Sequence, residues 1–188
     1  MRDEGIRQRL YVKIPPERLG AVIGEEGRVK REIEERLDVS IKVDSENSMA
    51  IIEGREGSQP INVMKAGEII KAISYGFPPE KAMALLMDDQ VLIYVDLREK
   101  LGDKPNHIRR VKARIIGEEG RARRTLEQLS GTYIQIGEDF VAIVGEYERA
   151  MAAKEAVEML IDGRAHSTVY RHLESLMRSI KKREKFKL

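Results

Sequence analysis

Cysteine and tryptophan are absent from this 188-residue chain, and phenylalanine occurs only three times. Without cysteine there is no disulfide framework, no thiolate metal site and no thiol nucleophile, and the composition suits a reducing cytosol. Long apolar runs are missing too: no window approaches the ~18–20 residues that a membrane span needs. The charged start, MRDEGIRQR, has none of the apolar stretch of a secretory leader. A cytoplasmic protein with no membrane partner is expected. Charge of one sign is also scarce: Lys plus Arg number 34, Asp plus Glu 32, and the formal net charge is +2. That near-balance argues against a surface coated in basic residues, while 41% apolar residues suffice for a modest aliphatic core.

What is present is a repeat. Ile-Gly-Glu-Glu-Gly-Arg-Val-Lys-Arg, from Ile23 to Arg31, recurs from Ile116 to Arg124 with seven of nine positions identical. The register holds beyond the motif at an offset of 93, setting Ile33 against Leu126, Glu34 against Glu127 and Ile41 against Ile134. The chain is therefore read as two copies of one module.

Both copies predict the same element order. In the first, Leu10, Val12 and Ile14 alternate with Tyr11 and Lys13 as in a half-buried strand, which Pro15-Pro16 stops. A short helix runs to Ile23. A second covers residues 28–37, with Val29, Ile33 and Leu37 on one face. Strands are expected at 40–44 and 49–53, and a closing helix at 58–75 with Ile61, Ile69 and Ile73 inward. The second copy repeats strand, helix, helix, strand, strand, helix at 91–95, 108–116, 121–129, 132–136, 140–144 and 147–161, after a connection over 96–107. Gly76-Phe77-Pro78-Pro79 marks a boundary, followed by a short bridging helix at 80–87. Beyond Gly163, the residues Val169, Leu173, Leu176 and Ile180 share a helical face. Docking of that face on the second module is expected ahead of a loose arm. The division is 1–77, 78–163 and a basic amphipathic helix over 164–188.

A Gly-x-x-Gly between two helices permits a tight turn where φ is positive, and it lets a phosphate chain lie against bare backbone. The following helix offers unpaired N–H groups and the positive end of its dipole. A ligand-free helical corner is the bland alternative; duplication in this frame, with basic residues after each turn, favours phosphate.

On these residues both modules resemble KH domains, an α+β fold of type I with βααββα order and a three-stranded antiparallel sheet packed on helices. The resemblance implies binding of about four nucleotides of single-stranded nucleic acid. It places the backbone clamps at Gly24, Glu25, Glu26, Gly27 and at Gly117, Glu118, Glu119, Gly120. It also implies an aliphatic groove formed by Ile23, Val29 and Ile41 in one module and by Ile116, Ala122 and Ile134 in the other. The C-terminal Gly-Arg-x-His-x-x-Val-Tyr-Arg-x-Leu stretch, Gly163 to Leu173, is similar to that of the archaeal ribosome-biogenesis KH proteins, counterparts of the eukaryotic partner of the Nob endonuclease. That resemblance implies a non-catalytic RNA-binding role near the 3′ end of small-subunit (16S) ribosomal RNA, with assembly or translation-initiation proteins as partners and no cofactor.

The Glu-Glu pair in each turn departs from the basic or small residues usual there, and each carboxylate would repel a nearby phosphate by ~1 kcal/mol. Two readings stand: the carboxylates turn to solvent while backbone N–H groups meet the phosphate, or the turns face a basic protein. Charge is local. Residues 104–124 sum to +6, with Lys112, Arg114, Arg121, Arg123 and Arg124 among them; residues 164–188 sum to +6; the remainder sums to −10. Around the first turn Arg28, Lys30 and Arg31 are answered by Glu25, Glu26, Glu32, Glu34 and Glu35. The second module is therefore expected to be the better RNA binder of the two. The alternative is an interaction adaptor that docks proteins through the acidic first module. His166 and His172 make a poor metal pair, and the turns lack the Lys-Ser/Thr ending of a P-loop. Met64, Met83, Met87, Met151 and Met159 read as core filler, and Tyr11, Tyr94 and Tyr133 as sheet packing ahead of base stacking.

Overall fold

The computed structural model describes residues 8–186, so the first part of the charged start and Lys187 of the basic tail lie outside the described residues. The chain divides into two compact units, one ending at Leu86 and the other beginning at Met87.

In the first unit β1 (Arg9–Lys13) ends before Pro15-Pro16, and a single 3-10 turn leads into α1 (Leu19–Ile23). Across the glycine turn lies α2 (Arg28–Leu37), then β2 (Val39–Asp44), β3 (Met49–Gly54) and α3 (Pro60–Ser74). The strands pair antiparallel in the order β1-β3-β2, with Leu10 and Ile41 both opposite Ile52. Alternation follows the pleat: Val12, Ile14, Val39, Ile41, Ala50 and Ile52 are buried under the helices. Each of these valines and isoleucines contributes about 1.5–3 kcal/mol. Arg18 closes this unit by donating through Nε to Ile73 O (2.8 Å) and through Nη2 to Phe77 O (3.0 Å), taking up carbonyls at and beyond the end of α3.

A short helix, α4 (Pro79–Ala82), and a 3-10 segment (Met83–Leu86) pack on α3, burying Ala82 and Leu85. Sequence spacing had grouped residues 78–86 with the second module. The structure groups them with the first, because the apolar side of this segment covers α3.

The second unit repeats the plan with β4 (Gln90–Asp96), α6 (Pro105–Ile116), α7 (Arg121–Ser130), β5 (Tyr133–Ile136), β6 (Phe140–Glu146) and α8 (Tyr147–Ile161). Its sheet order is β4-β6-β5, again antiparallel, with Ile93 and Ile134 both opposite Ile143. One helix was not anticipated. α5 (Leu97–Leu101) occupies the expected connection, capped by Asp96, whose carboxylate accepts from the N–H groups of Arg98 and Glu99. Asp96 with Glu99 three residues on is the signature of a capped helix start. The long α9 (His166–Phe186) lies over α7 and α8 and buries Val169, Leu173, Met177 and Ile180. Met177 takes the inward place expected of Leu176, which is half-buried at the edge of the stripe.

Some core expectations fail. Ile61 and Met64 are exposed because Val63, Ala66, Ile69, Ile70 and Ile73 supply the buried face of α3. Met87 and Met151 are exposed as well. Tyr11 is 54% exposed on the open face of the first sheet, where Arg9 donates to its hydroxyl. Tyr94 stacks on Phe140 with ring centroids 5.3 Å apart. No helix among the described residues is long and apolar enough to cross a membrane.

Candidate nucleic-acid interface

The two glycine turns are superimposable in their angles. Gly24 sits at φ 76°, ψ 171° and Gly117 at φ 73°, ψ 172°, a region that is essentially glycine-only. Space enforces the same choice. A Cβ on Gly24 would meet the Val29 backbone N at 2.7 Å, and one on Gly117 would meet that of Ala122 at 2.6 Å. The first glycine of each turn thus lets α1 or α6 close onto the start of the next helix. The second glycine is different. Gly27 and Gly120 have left-handed φ values of 76° and 75°, but a Cβ there would touch only an arginine tip, Arg31 at 3.4 Å or Arg124 at 3.2 Å. Between the glycines Glu26 and Glu119 also adopt left-handed φ, 49° and 51°, which costs a non-glycine residue about 1 kcal/mol.

This backbone path turns all four glutamates outward: Glu25, Glu26, Glu118 and Glu119 are exposed. The starts of α2 and α7 carry no side-chain cap, whereas α5 and α8 are capped by Asp96 and Glu146. The N–H of Arg28 is taken by Glu25 O and that of Arg121 by Glu118 O, so each helix start faces an anion chiefly with the positive end of its dipole.

The cations differ between the copies. Arg28 and Arg31, like Arg121 and Arg124, are exposed. Lys30 places Nζ 3.0 Å from both carboxylate oxygens of Glu34, so its charge is neutralised. Its counterpart Arg123 is half-buried, and its Nε is shielded from solvent with no hydrogen-bond partner. Upstream on α6, Lys112 donates to Glu138 O (2.9 Å) and Arg114 donates through Nη2 to Arg164 O (2.7 Å). Both keep their charge, but part of their donor capacity is bound within the protein.

Beside each turn the floor between the second helix and the edge strand is aliphatic. Ile23, Val29 and Ile116 are half-buried and offer surface there, while Ile41, Ala122 and Ile134 are buried and support the floor from beneath. The outward N–H of the edge strand is already taken: Ile41 N donates to Glu34 Oε1 (2.7 Å), and Ile134 N to Glu127 Oε1 (2.8 Å). Sequence reasoning aligned Glu34 with Glu127 and counted Glu34 against the nearby cations, without giving either a role at the edge strand. Their identity across the repeat, at a helix face otherwise apolar, was the available signal.

The Gly163–Leu173 stretch is tied to the same element. His166 Nε2 lies 2.8 Å from Arg114 O, and His172 Nε2 lies 2.6 Å from Glu155 Oε1. Neither histidine joins a metal-ligand cluster among the described residues.

Comparison with known proteins fits this geometry. The model of the KH domain matches residues 9–72, and that of the eukaryotic-type (type I) KH domain matches residues 91–178. A KH domain-containing protein of Methanocaldococcus jannaschii is 42% identical over 94% of this chain and 77% of its own. The pre-rRNA-processing protein Pno1 of Emericella nidulans is 27% identical over 92% of this chain and 68% of its own. Among solved structures, a protein of unknown function from Aeropyrum pernix superposes with a TM-score of 0.92 at 61% identity, covering 97% of each chain. A chain from the a/eIF2alpha–aDim2p–rRNA complex of Pyrococcus horikoshii gives a TM-score of 0.85 at 37% identity, covering 94% of this chain and 97% of that one.

Proposed function

Because this chain belongs to the family of tandem KH-domain proteins that includes Pno1 and Dim2p, we propose that it is a non-catalytic, single-stranded RNA-binding factor of small-subunit ribosomal RNA maturation. It works in the cytoplasm and contacts the 3′ region of 16S rRNA. The observation that carries this reading is the second turn: an uncapped helix start, bare glycine backbone and an Arg123 whose Nε has no partner within the protein. Phosphates meet the N–H groups of Glu118 and Glu119, while Gly117 and Gly120, whose own N–H groups donate to Ala113 O and Gly117 O, serve by keeping the backbone bare. Arg121, Arg123 and Arg124 supply the counter-charge, and Lys112 and Arg114 contribute long-range attraction. Bases lie over Ile116, above the buried Ala122 and Ile134. Neutralising about four phosphates on a single strand gives a log–log salt slope near −3.

The first module takes a lesser share of the RNA through Gly24, Glu25, Glu26, Gly27, Arg28, Lys30 and Arg31. The Lys30–Glu34 pair leaves less free charge there, so this module is the better face for a ribosome-assembly or translation-initiation protein. The a/eIF2alpha–aDim2p–rRNA complex from Pyrococcus horikoshii supports a partnership of this kind. Crosslinking in cells followed by sequencing of the attached RNA tests the assignment. Reads should concentrate near the 3′ end of small-subunit rRNA, and a broad spread over messenger RNAs would refute it.

A further inference from the structure

α6 carries two basic flanks, separated by its buried stripe of Ile108, Val111 and Ile115. On one flank Arg109 and Lys112 line a cavity of about 250 Å³ together with Asp103, Glu138 and Asp139. Carboxylates stand beside the cations there: Glu138 and Asp139 line the cavity, Arg98 pairs with Asp139 at 3.0 Å, and Lys112 donates to the main-chain Glu138 O. On the other flank His107, Arg110 and Arg114 line a second cavity of about 240 Å³, backed by Val111, Leu160 and Ile161.

No carboxylate lines this second cavity. Asp162, between the lining residues Ile161 and Gly163, is exposed and acts on Lys100 instead. The side chains of His107 and Arg110 have no hydrogen-bond or ion-pair partner among the described residues. Arg110 and Arg114, four apart on one helix, repel each other. Arg114 Nε is shielded from solvent without an acceptor. Cationic donors thus converge on an apolar wall with nothing of opposite sign to offset them. A tetrahedral anion fits that chemistry, since a guanidinium fork and an imidazole N–H present several donors and the apolar wall limits water screening.

We propose that this cavity is a second phosphate site, which holds the RNA backbone outside the aliphatic groove. Arg110 lies seven residues before Gly117, about 10 Å along α6 from the turn, so only an RNA longer than the groove's four nucleotides reaches both. The proposal rests on the RNA-binding reading above. Its contribution is an added dependence on RNA length.

The test is fluorescence anisotropy on the full chain with single-stranded RNAs of four and of twelve nucleotides. Compared are the wild type, Arg110→Gln, the double variant His107→Ala/Arg110→Ala, and Gly120→Asp. Arg114 is left intact because it holds Arg164 O. The double variant should bind the short RNA as the wild type does and lose about tenfold on the long one. Its salt slope on the long RNA should flatten by about 0.7 for each lost phosphate. Arg110→Gln should show part of the same pattern, and Gly120→Asp should weaken both RNAs. Equal losses on both lengths, or none on the long RNA, would overturn the second site. So would a wild type that binds both lengths equally. If the wild type binds neither RNA, the reading of function fails and the cavity assignment falls with it.

Discussion

The glycine turns of the two modules agree to within a few degrees, yet their surroundings treat charge in opposite ways. In the first, Lys30 is held by Glu34, and Glu34 also accepts from the edge strand. In the second, Glu127 keeps the strand bond, but Arg123 has no partner at Nε and no ion pair among the described residues. The helix ends differ too. α2 stops at Asp38 in a left-handed conformation, whereas α7 stops at Gly131, which adopts it without strain. The same backbone motif can therefore serve with its charge free or with its charge spent, and the neighbouring carboxylate decides which. The second unit also gains α9, and α6 is tied to the C-terminal stretch through the His166 and Arg114 contacts.

The strongest way to break the comparison is at the glycines. Gly117→Ala should destabilise the second module by about 3 kcal/mol or more, because the residue would need both a glycine-only φ/ψ and a 2.6 Å approach to Ala122 N. Gly120→Ala should cost only about 1 kcal/mol. Urea melts of the full chain measure both, and equal losses would mean that the turn relaxes around the first position.

Affinity comes next. Gly120→Asp and Arg123→Ala should each weaken single-stranded RNA binding by about tenfold or more, and Gly27→Asp and Lys30→Ala by less than about twofold. Titrations at fixed salt read this directly. Matching losses in the two modules would remove the asymmetry.

A smaller effect separates the two glutamates. Glu34→Ala deprives both Lys30 and the Ile41 N–H of a partner and should cost about 2–3 kcal/mol; Glu127→Ala orphans only the Ile134 N–H and should cost about 1 kcal/mol. Denaturant midpoints give the difference.

The smallest contrast is in pH. The side-chain and main-chain N–H groups of Asn47 hold the Asp44 carboxyl below its ordinary value. Its contribution is present above the ordinary carboxylate pKa and is lost as pH falls through the lowered folded one. In the second module, Lys100 is raised by its hydrogen bond from Nζ to the Glu158 carboxylate, so that contribution is present below the ordinary lysine pKa and is lost as pH rises through the folded one. Acid melts of Asp44→Asn and alkaline melts of Lys100→Met should each flatten at one end only.

Much of this was legible in the sequence. The strand alternation of Leu10, Val12 and Ile14, the nine-residue repeat and the position of both turns were all local patterns, and local patterns survive folding. Tertiary neighbours decided the rest. Arg18 carried no reading in the sequence and Arg114 read only as an RNA-facing cation, until the carbonyls of Ile73, Phe77 and Arg164 were brought to them. Ile61 and Met64 read as core because α3 is apolar around much of its girth, and only packing shows which side is covered. Of the residues expected to form the groove, Ile41, Ala122 and Ile134 are buried, a depth that spacing alone does not give.

By itself, then, the sequence determined a duplicated βααββα module, the location of its glycine turns and the confinement of positive charge behind a net balance of +2. Only the tertiary structure decided which of those charges are free. Neutralisation depends on whether a carboxylate four residues along a helix reaches its cation, as Glu34 reaches Lys30, or leaves it unpaired, as Glu127 leaves Arg123. The one-dimensional pattern is the same in both copies, and the three-dimensional contact is not.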